Sequence, residues 1–243
     1  MVPRDPVWEA ARALEPDRYL AALYAPEPGR GTLMALAAFQ GEIARIPLTV
    51  REPLLAEIKL QWWRDALQML MQDNATGHPV ADALAEGLRS GRLPIGLAAG
   101  MIDAAAEPRA LSAWSDPQAL RSHLHKGHGA AFTLAARALG ATYSKDLEAA
   151  ALTSGLAYGL ARSLANQPHG DGAARAALIA RCRTALPGAV SAVSRLDSAL
   201  LPGFLPLAMV RAYLWQASSQ NTDVSALQRW WRLWRAQVSG RLA

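Results

Sequence analysis

Cysteine is nearly absent: Cys182 is the only one in 243 residues. No disulfide can form within the chain, and no cysteine-based zinc site or iron–sulfur cluster can be built. Acid is absent from the C-terminal end, where nothing acidic follows Asp223. Val and Ile are scarce beside Ala and Leu, and no segment alternates apolar and polar residues as a strand does. No stretch reaches the ~20 uninterrupted apolar residues of a membrane span. The best, LLPGFLPLAMV at 200–210, is short and holds Pro202 and Pro206. The opening MVPRDPVWEAARALEPDRYL carries Asp5, Glu9 and Glu15, and it lacks the apolar run of a signal peptide. There is no GxSxG elbow and no glycine loop that would cradle phosphate. These absences point to a soluble chain in a reducing, cytoplasmic compartment.

What is present is helical in character. Hydrophobic residues make up 51% and charged residues 19%, enough apolar surface for a full core and too much for a disordered state. Proline and glycine divide the chain into about ten helical segments. Helices are expected near 32–46, ending before Pro47, and near 51–72, 79–90, 94–107, 117–139 and 145–166. More are expected near 173–185, 187–199, 204–217 and 223–239. With no repeat and no low-complexity linker, one all-helical domain over 1–243 is the economical reading.

Two helices have informative faces. In 145–166, Ala151, Gly155 and Gly159 recur every four residues, a spacing that lets another helix approach closely. In 223–239, Leu227, Trp230, Trp231, Trp234 and Val238 share one face at ~100° per residue, and Arg229, Arg232 and Arg235 fall opposite. The formal charge of +5 is concentrated there, since without Arg229, Arg232, Arg235 and Arg241 the two signs nearly balance. That distribution argues against nucleic acid, which wants a broad basic face. It suits one basic helix meeting an anionic membrane, with Arg229, Trp230, Arg232, Trp234 and Arg235 as the surface candidates. The competing expectation is that the three tryptophans cap the core and the arginines solvate the outside.

Candidates for chemistry are few. Cys182 lies between Arg181 and Arg183, which would lower its pKa if the thiol were exposed. His123, His125 and His128 cluster in RSHLHKGHGA without the i,i+4 pair and further ligand of a zinc site. Asp82 with Glu86, and Asp103 with Glu107, are i,i+4 carboxylate pairs that could imitate a double-magnesium site. Each stands in an Ala-rich segment with no second acid, as solvated surface acids do.

Three stretches together resemble the squalene/phytoene synthase family. They are DRYLAALYAP at 17–26 with LMALAAFQGEIARIP at 33–47, REPLLAEIKLQWWRDAL at 51–67, and SGLAYGLARSLANQPHG at 154–170. LHKGHGAAFTLAARALGA at 124–141 and LPGFLPLAMVRAYL at 201–214 fit the same order. The resemblance implies an all-α, isoprenoid-synthase-like helical bundle around a central cavity. Such synthases join prenyl diphosphates, using two aspartate-rich motifs on facing helices to hold magnesium.

Here the positions of those acids carry other residues. The first motif reads Ala44 and Leu48, with Pro47 between them, Glu42 nearby and Arg45 adding positive charge. The second reads Ala165 and Asn166, then His169 and Gly170, with Arg162 adding another cation. Ionising a diphosphate leaving group needs bound divalent metal, and that needs several oxygen ligands. No metal and no cofactor are therefore expected; magnesium would enter only for an active enzyme.

The IKLQWWRDAL and ANQPHG stretches resemble a branch of the family regarded as non-catalytic, which includes a mitochondrial complex I assembly factor. The resemblance implies a partner among respiratory-complex subunits; the basic terminal helix is what points to peripheral contact with the inner membrane. Two alternatives stay open, a divergent prenyltransferase and a protein that binds an isoprenoid lipid without chemistry. Cavity candidates are Glu42, Arg45, Trp62, Arg162 and Asn166. Trp62 and Trp63 side by side in a helix are more often core than cavity wall. Glu42, Arg45, Arg162 and Asn166 would equally fit a buried, mutually satisfied polar layer.

Overall fold

The structure is a computed structural model that describes residues 5–107, 116–166, 172–219 and 223–242. Among these residues every regular element is helical. Two short helices, α1 (Pro6–Leu14) and α2 (Pro16–Ala22), each begin at a proline in the first turn, where its missing N–H costs nothing. The long helix α3 (Gly29–Thr49) packs on both, and α4 (Pro53–Met71) follows. Then come α5 (Pro79–Asp82), α6 (Ala85–Arg89) and α7 (Ile95–Ala106). Helix α8 (Pro117–Leu124) runs through one π-helical turn, His125–Gly129, into α9 (Ala130–Ala138). The C-terminal half holds α10 (Lys145–Asn166), α11 (Gly172–Val193), the short α12 (Leu201–Phe204), α13 (Val210–Ser219) and α14 (Ala226–Ser239).

The core has two lobes. One gathers α3, α4, α7 and part of α9 around Phe39, Trp63, Leu67 and Ile102. The other gathers α10, α11, α13 and α14 around Tyr158, Leu160, Phe204 and Val210. The π-helical turn and α9 lie between them and touch both. The segment Ser198–Ser219 is long and apolar enough, by length and composition, to cross a membrane. However, 61% of its most apolar window is buried in the bundle.

Two expected helix ends move. Pro47 lies inside α3, because in the last turn its missing N–H leaves only one carbonyl unpaired and Val50 N–H still closes on Ile46 C=O at 3.0 Å. Pro187 lies inside α11, where the two expected helices are one. Cys182, Leu186, Ala189, Ala192 and Val193 are buried on both sides of it, so packing outweighs the lost backbone bond.

The small-residue face of α10 meets the π-helical turn. A Cβ built on Gly155 would lie 2.5 Å from Gly129 N, and one on Gly159 would lie 2.4 Å from the His128 ring. Real Cβ atoms do not approach that closely, so both glycines are required by the contact.

Helix α14 departs from its amphipathic expectation. Its seam to the core is Leu233 and Ala236, with Arg229 turned inward beside them. Trp230, Trp231 and Trp234 are 47%, 45% and 42% exposed, so they do not cap the core. The apolar face lies outward.

Candidate functional site

A cleft of about 410 Å³ opens between the two lobes. One wall comes from α3, with Gln40, Ile43, Ala44, Arg45 and Leu48. The opposite wall comes from the end of α10, with Arg162, Ser163 and Asn166. Met101, Ala104 and Ala105 of α7 form the floor with His123, Gly127 and His128. The stretch at 33–47 and the described part of the third stretch, 154–166, therefore do face one cavity. Arg45, Arg162 and Asn166 line it. Glu42 and Trp62 do not: they meet instead at His78, whose Nε2 is 3.6 Å from Glu42 Oε2 and whose ring is 5.3 Å from that of Trp62. Trp62 is 41% exposed, whereas its neighbour Trp63 is buried 5.2 Å from Phe39. Positions 167–171, with His169 and Gly170, lie outside the described residues.

The charge in the cleft is largely spoken for. Arg162 donates to Glu15 and, at 3.2 Å, to the Tyr158 hydroxyl. Burial disfavours its charge, but the Glu15 carboxylate outweighs that and holds its pKa well above the ordinary arginine value. Arg162 thus closes a buried ion pair, and Arg45, exposed at the rim, is the arginine lining the cleft that has no acid partner among the described residues. The expected mutual layer of Glu42, Arg45, Arg162 and Asn166 does not form, because the counter-ion comes from the α1–α2 junction. His128 sits 3.4 Å from Gln40 Nε2, and His123 lies 2.8 Å from Glu107.

Behind this wall is a second buried network. Asp17, 1% exposed, accepts from Tyr158 OH at 2.8 Å, Tyr213 OH at 2.7 Å and Arg229 Nε. One carboxylate thereby joins α2, α10, α13 and α14. Burial drives the Tyr158 hydroxyl pKa well up, so it stays a donor. Arg229 was a membrane candidate by sequence; its guanidinium is instead bound to Asp17 and is withdrawn from the surface. Next to Asp17, the Arg18 guanidinium lies 4.7 Å over the Phe132 ring, and burial lowers its pKa.

The carboxylate and thiol candidates are occupied. Asp82 accepts from Thr76 N–H, the Thr76 hydroxyl and Gly77 N–H, and it pins the loop after α4. Glu86 pairs with Arg92, Asp103 with Arg64, and Glu107 with His123 and Lys126. The Cys182 thiol is buried, donates to Ala157 C=O, and has its pKa pushed up to about 12 by burial. Sequence reasoning missed Glu15, Asp17 and Tyr158, because the bonds Glu15–Arg162, Asp17–Tyr158 and Asp17–Arg229 each join residues 141 or more apart.

Magnesium takes hard oxygen ligands in near-octahedral order. Glu15 is the one carboxylate among the described residues lining the cleft, and Arg162 already holds it. Among the described residues, the donors lining the cleft do not fit a magnesium–diphosphate site. The described lining sets Ile43, Leu48 and Met101 beside a polar edge of Gln40, Ser163 and Asn166.

This helical architecture, with its two motif helices facing a central cavity, is the isoprenoid-synthase fold. The family model for squalene/phytoene synthase matches residues 11–168, more than half of the chain. The chain belongs to that family. Among curated proteins it is similar to NADH dehydrogenase (ubiquinone) complex I, assembly factor 6. It is 27% identical to the mouse protein over 163 residues, 66% of this chain and 48% of that one. It is 31% identical to the bovine protein over 81 residues, 33% of this chain and 24% of that one. The human protein is 30% identical over 73 residues, 30% of this chain and 22% of that one. The chain spans half or less of the length of these relatives in each match. No solved structure gives a significant match.

Proposed function

We propose that this chain is a non-catalytic member of the family that assists assembly of a respiratory complex, complex I. One observation carries the reading. The positions that face each other across the cleft are Ala44 and Leu48 on one side and Asn166 on the other, while the nearest acid, Glu15, is bound to Arg162. A cavity whose described lining offers no free carboxylate is what a member that has given up prenyl transfer would keep. The similarity to complex I assembly factors supports that client class.

A surface for a client protein is also at hand. Leu54, Ile58 and Trp62 recur every four residues on α4 and are 75%, 56% and 41% exposed. Such a stripe costs solubility unless a partner covers it. The test is genetic. Deleting the gene should lower assembled complex I on native gels, and wild-type protein should restore it. Ile58→Asp should fold normally yet fail to restore it. Unchanged complex I in the deletion strain would refute the role.

A second reading, an isoprenoid-binding protein without chemistry, has the open cleft in its favour. It is separated by whether a prenyl lipid co-purifies with wild-type protein and is lost from an Ala44→Trp variant that fills the cleft.

A further inference from the structure

Helix α14 folds with its broad apolar face away from the core. The seam of Leu233, Ala236 and Arg229 holds it to the bundle, while Leu227, Trp231, Trp234 and Val238 stand out in solvent. Trp230 and Trp234 stack with ring centroids 6.1 Å apart, and Arg235 lies 4.8 Å over the Trp231 ring. Three half-exposed tryptophans on two turns of one helix make an apolar patch of the kind that marks an interaction surface.

The charge beside it says what. Arg232 is close enough to Arg211 and Arg235 for their charges to repel. None of the three forms an ion pair with a described acid. Between α13 and α14 a groove of about 200 Å³ is lined by Trp215, itself 57% exposed, and by Arg232. Uncompensated arginines beside exposed indole rings match the headgroup level of a bilayer. There the rings bury their apolar bodies, the indole N–H finds acceptors, and the cations meet phosphates.

We infer that α14 and the groove beside it form a docking surface for an anionic phospholipid bilayer. Trp231 and Trp234 enter the interface, and Arg211, Arg232 and Arg235 hold lipid phosphate. Arg229 takes no part, because Asp17 holds it. The inference goes beyond the assembly role and stands on the geometry of α13 and α14, so its failure would leave that role to its own genetic test.

The experiment is flotation of the full chain with vesicles of phosphatidylcholine alone or with one quarter phosphatidylglycerol, at low and high salt. The chain should bind the anionic vesicles at low salt, and binding should fall at high salt. Arg232→Gln/Arg235→Gln should weaken it about tenfold or more with an unchanged melting temperature. Trp231→Ser/Trp234→Ser should abolish it, with a native circular-dichroism spectrum. If the tryptophan variant does not fold, the arginine variant decides alone. Equal binding to neutral vesicles, or none to anionic vesicles at low salt, would overturn the inference. So would a concentration-dependent dimer that the tryptophan variant abolishes without vesicle binding.

Discussion

Asp17 is the residue on which most of the molecule's polar order depends. Its carboxylate is buried and receives two tyrosine hydroxyls and a guanidinium from three other helices. Removing one member of a buried ion pair strands the other, so Asp17→Ala is expected to cost ~3–5 kcal/mol in urea unfolding. Tyr213→Phe, which removes one donor but leaves Asp17 paired with Arg229 and Tyr158, should cost less, ~1.5–3 kcal/mol. Cys182 gives an independent readout. With its thiol buried and its pKa near 12, it should not react with a disulfide reagent at pH 8 until the chain unfolds. Asp82 carries a pH dependence. Thr76 N–H, first among its partners, lowers its pKa below the ordinary 3.8. Its contribution is then full above that value and is lost as pH falls through the lower folded-state value. Asp82→Ala should destabilise by ~1–2 kcal/mol at pH 7, and the gap to wild type should close in strong acid.

At the scale of elements, glycines separate by what they touch. Gly155 faces backbone of the π-helical turn, which cannot step aside, and Gly159 faces a side chain, His128. Gly155→Ala is expected to cost ~2–3 kcal/mol and Gly159→Ala less. Gly188 in α11 has no heavy atom in reach of an added Cβ, so Gly188→Ala should raise stability by ~0.5–1 kcal/mol. Thermal melts of the three variants check the order. The close approach along α10 was legible in the sequence, because two glycines one turn apart inside a helix demand a reason. The extent of α14 was legible too, but not its orientation. Periodicity reports which residues share a face, and it cannot say that Asp17 will draw Arg229 inward and leave the tryptophans outside. Pro47 and Pro187 misled for the same reason: a local rule about backbone bonds was outweighed by packing that the sequence does not display.

For the whole molecule, two lobes enclose a cleft whose walls are the helices that carry the family's two motif regions. The family, the helical class and the pairing of those regions across a cavity could be read from ordered local motifs. The occupants of the polar positions could not. Glu15 reaches Arg162 across 147 residues, and no local pattern announces such a pair. The central claim is that the cleft does not perform magnesium-dependent prenyl-diphosphate chemistry. It is tested most directly by incubating the full chain with farnesyl diphosphate and following inorganic diphosphate release, with and without magnesium. The account predicts release at the uncatalysed rate in both, unchanged by Glu15→Gln. Magnesium-dependent, saturable release above that rate would contradict it.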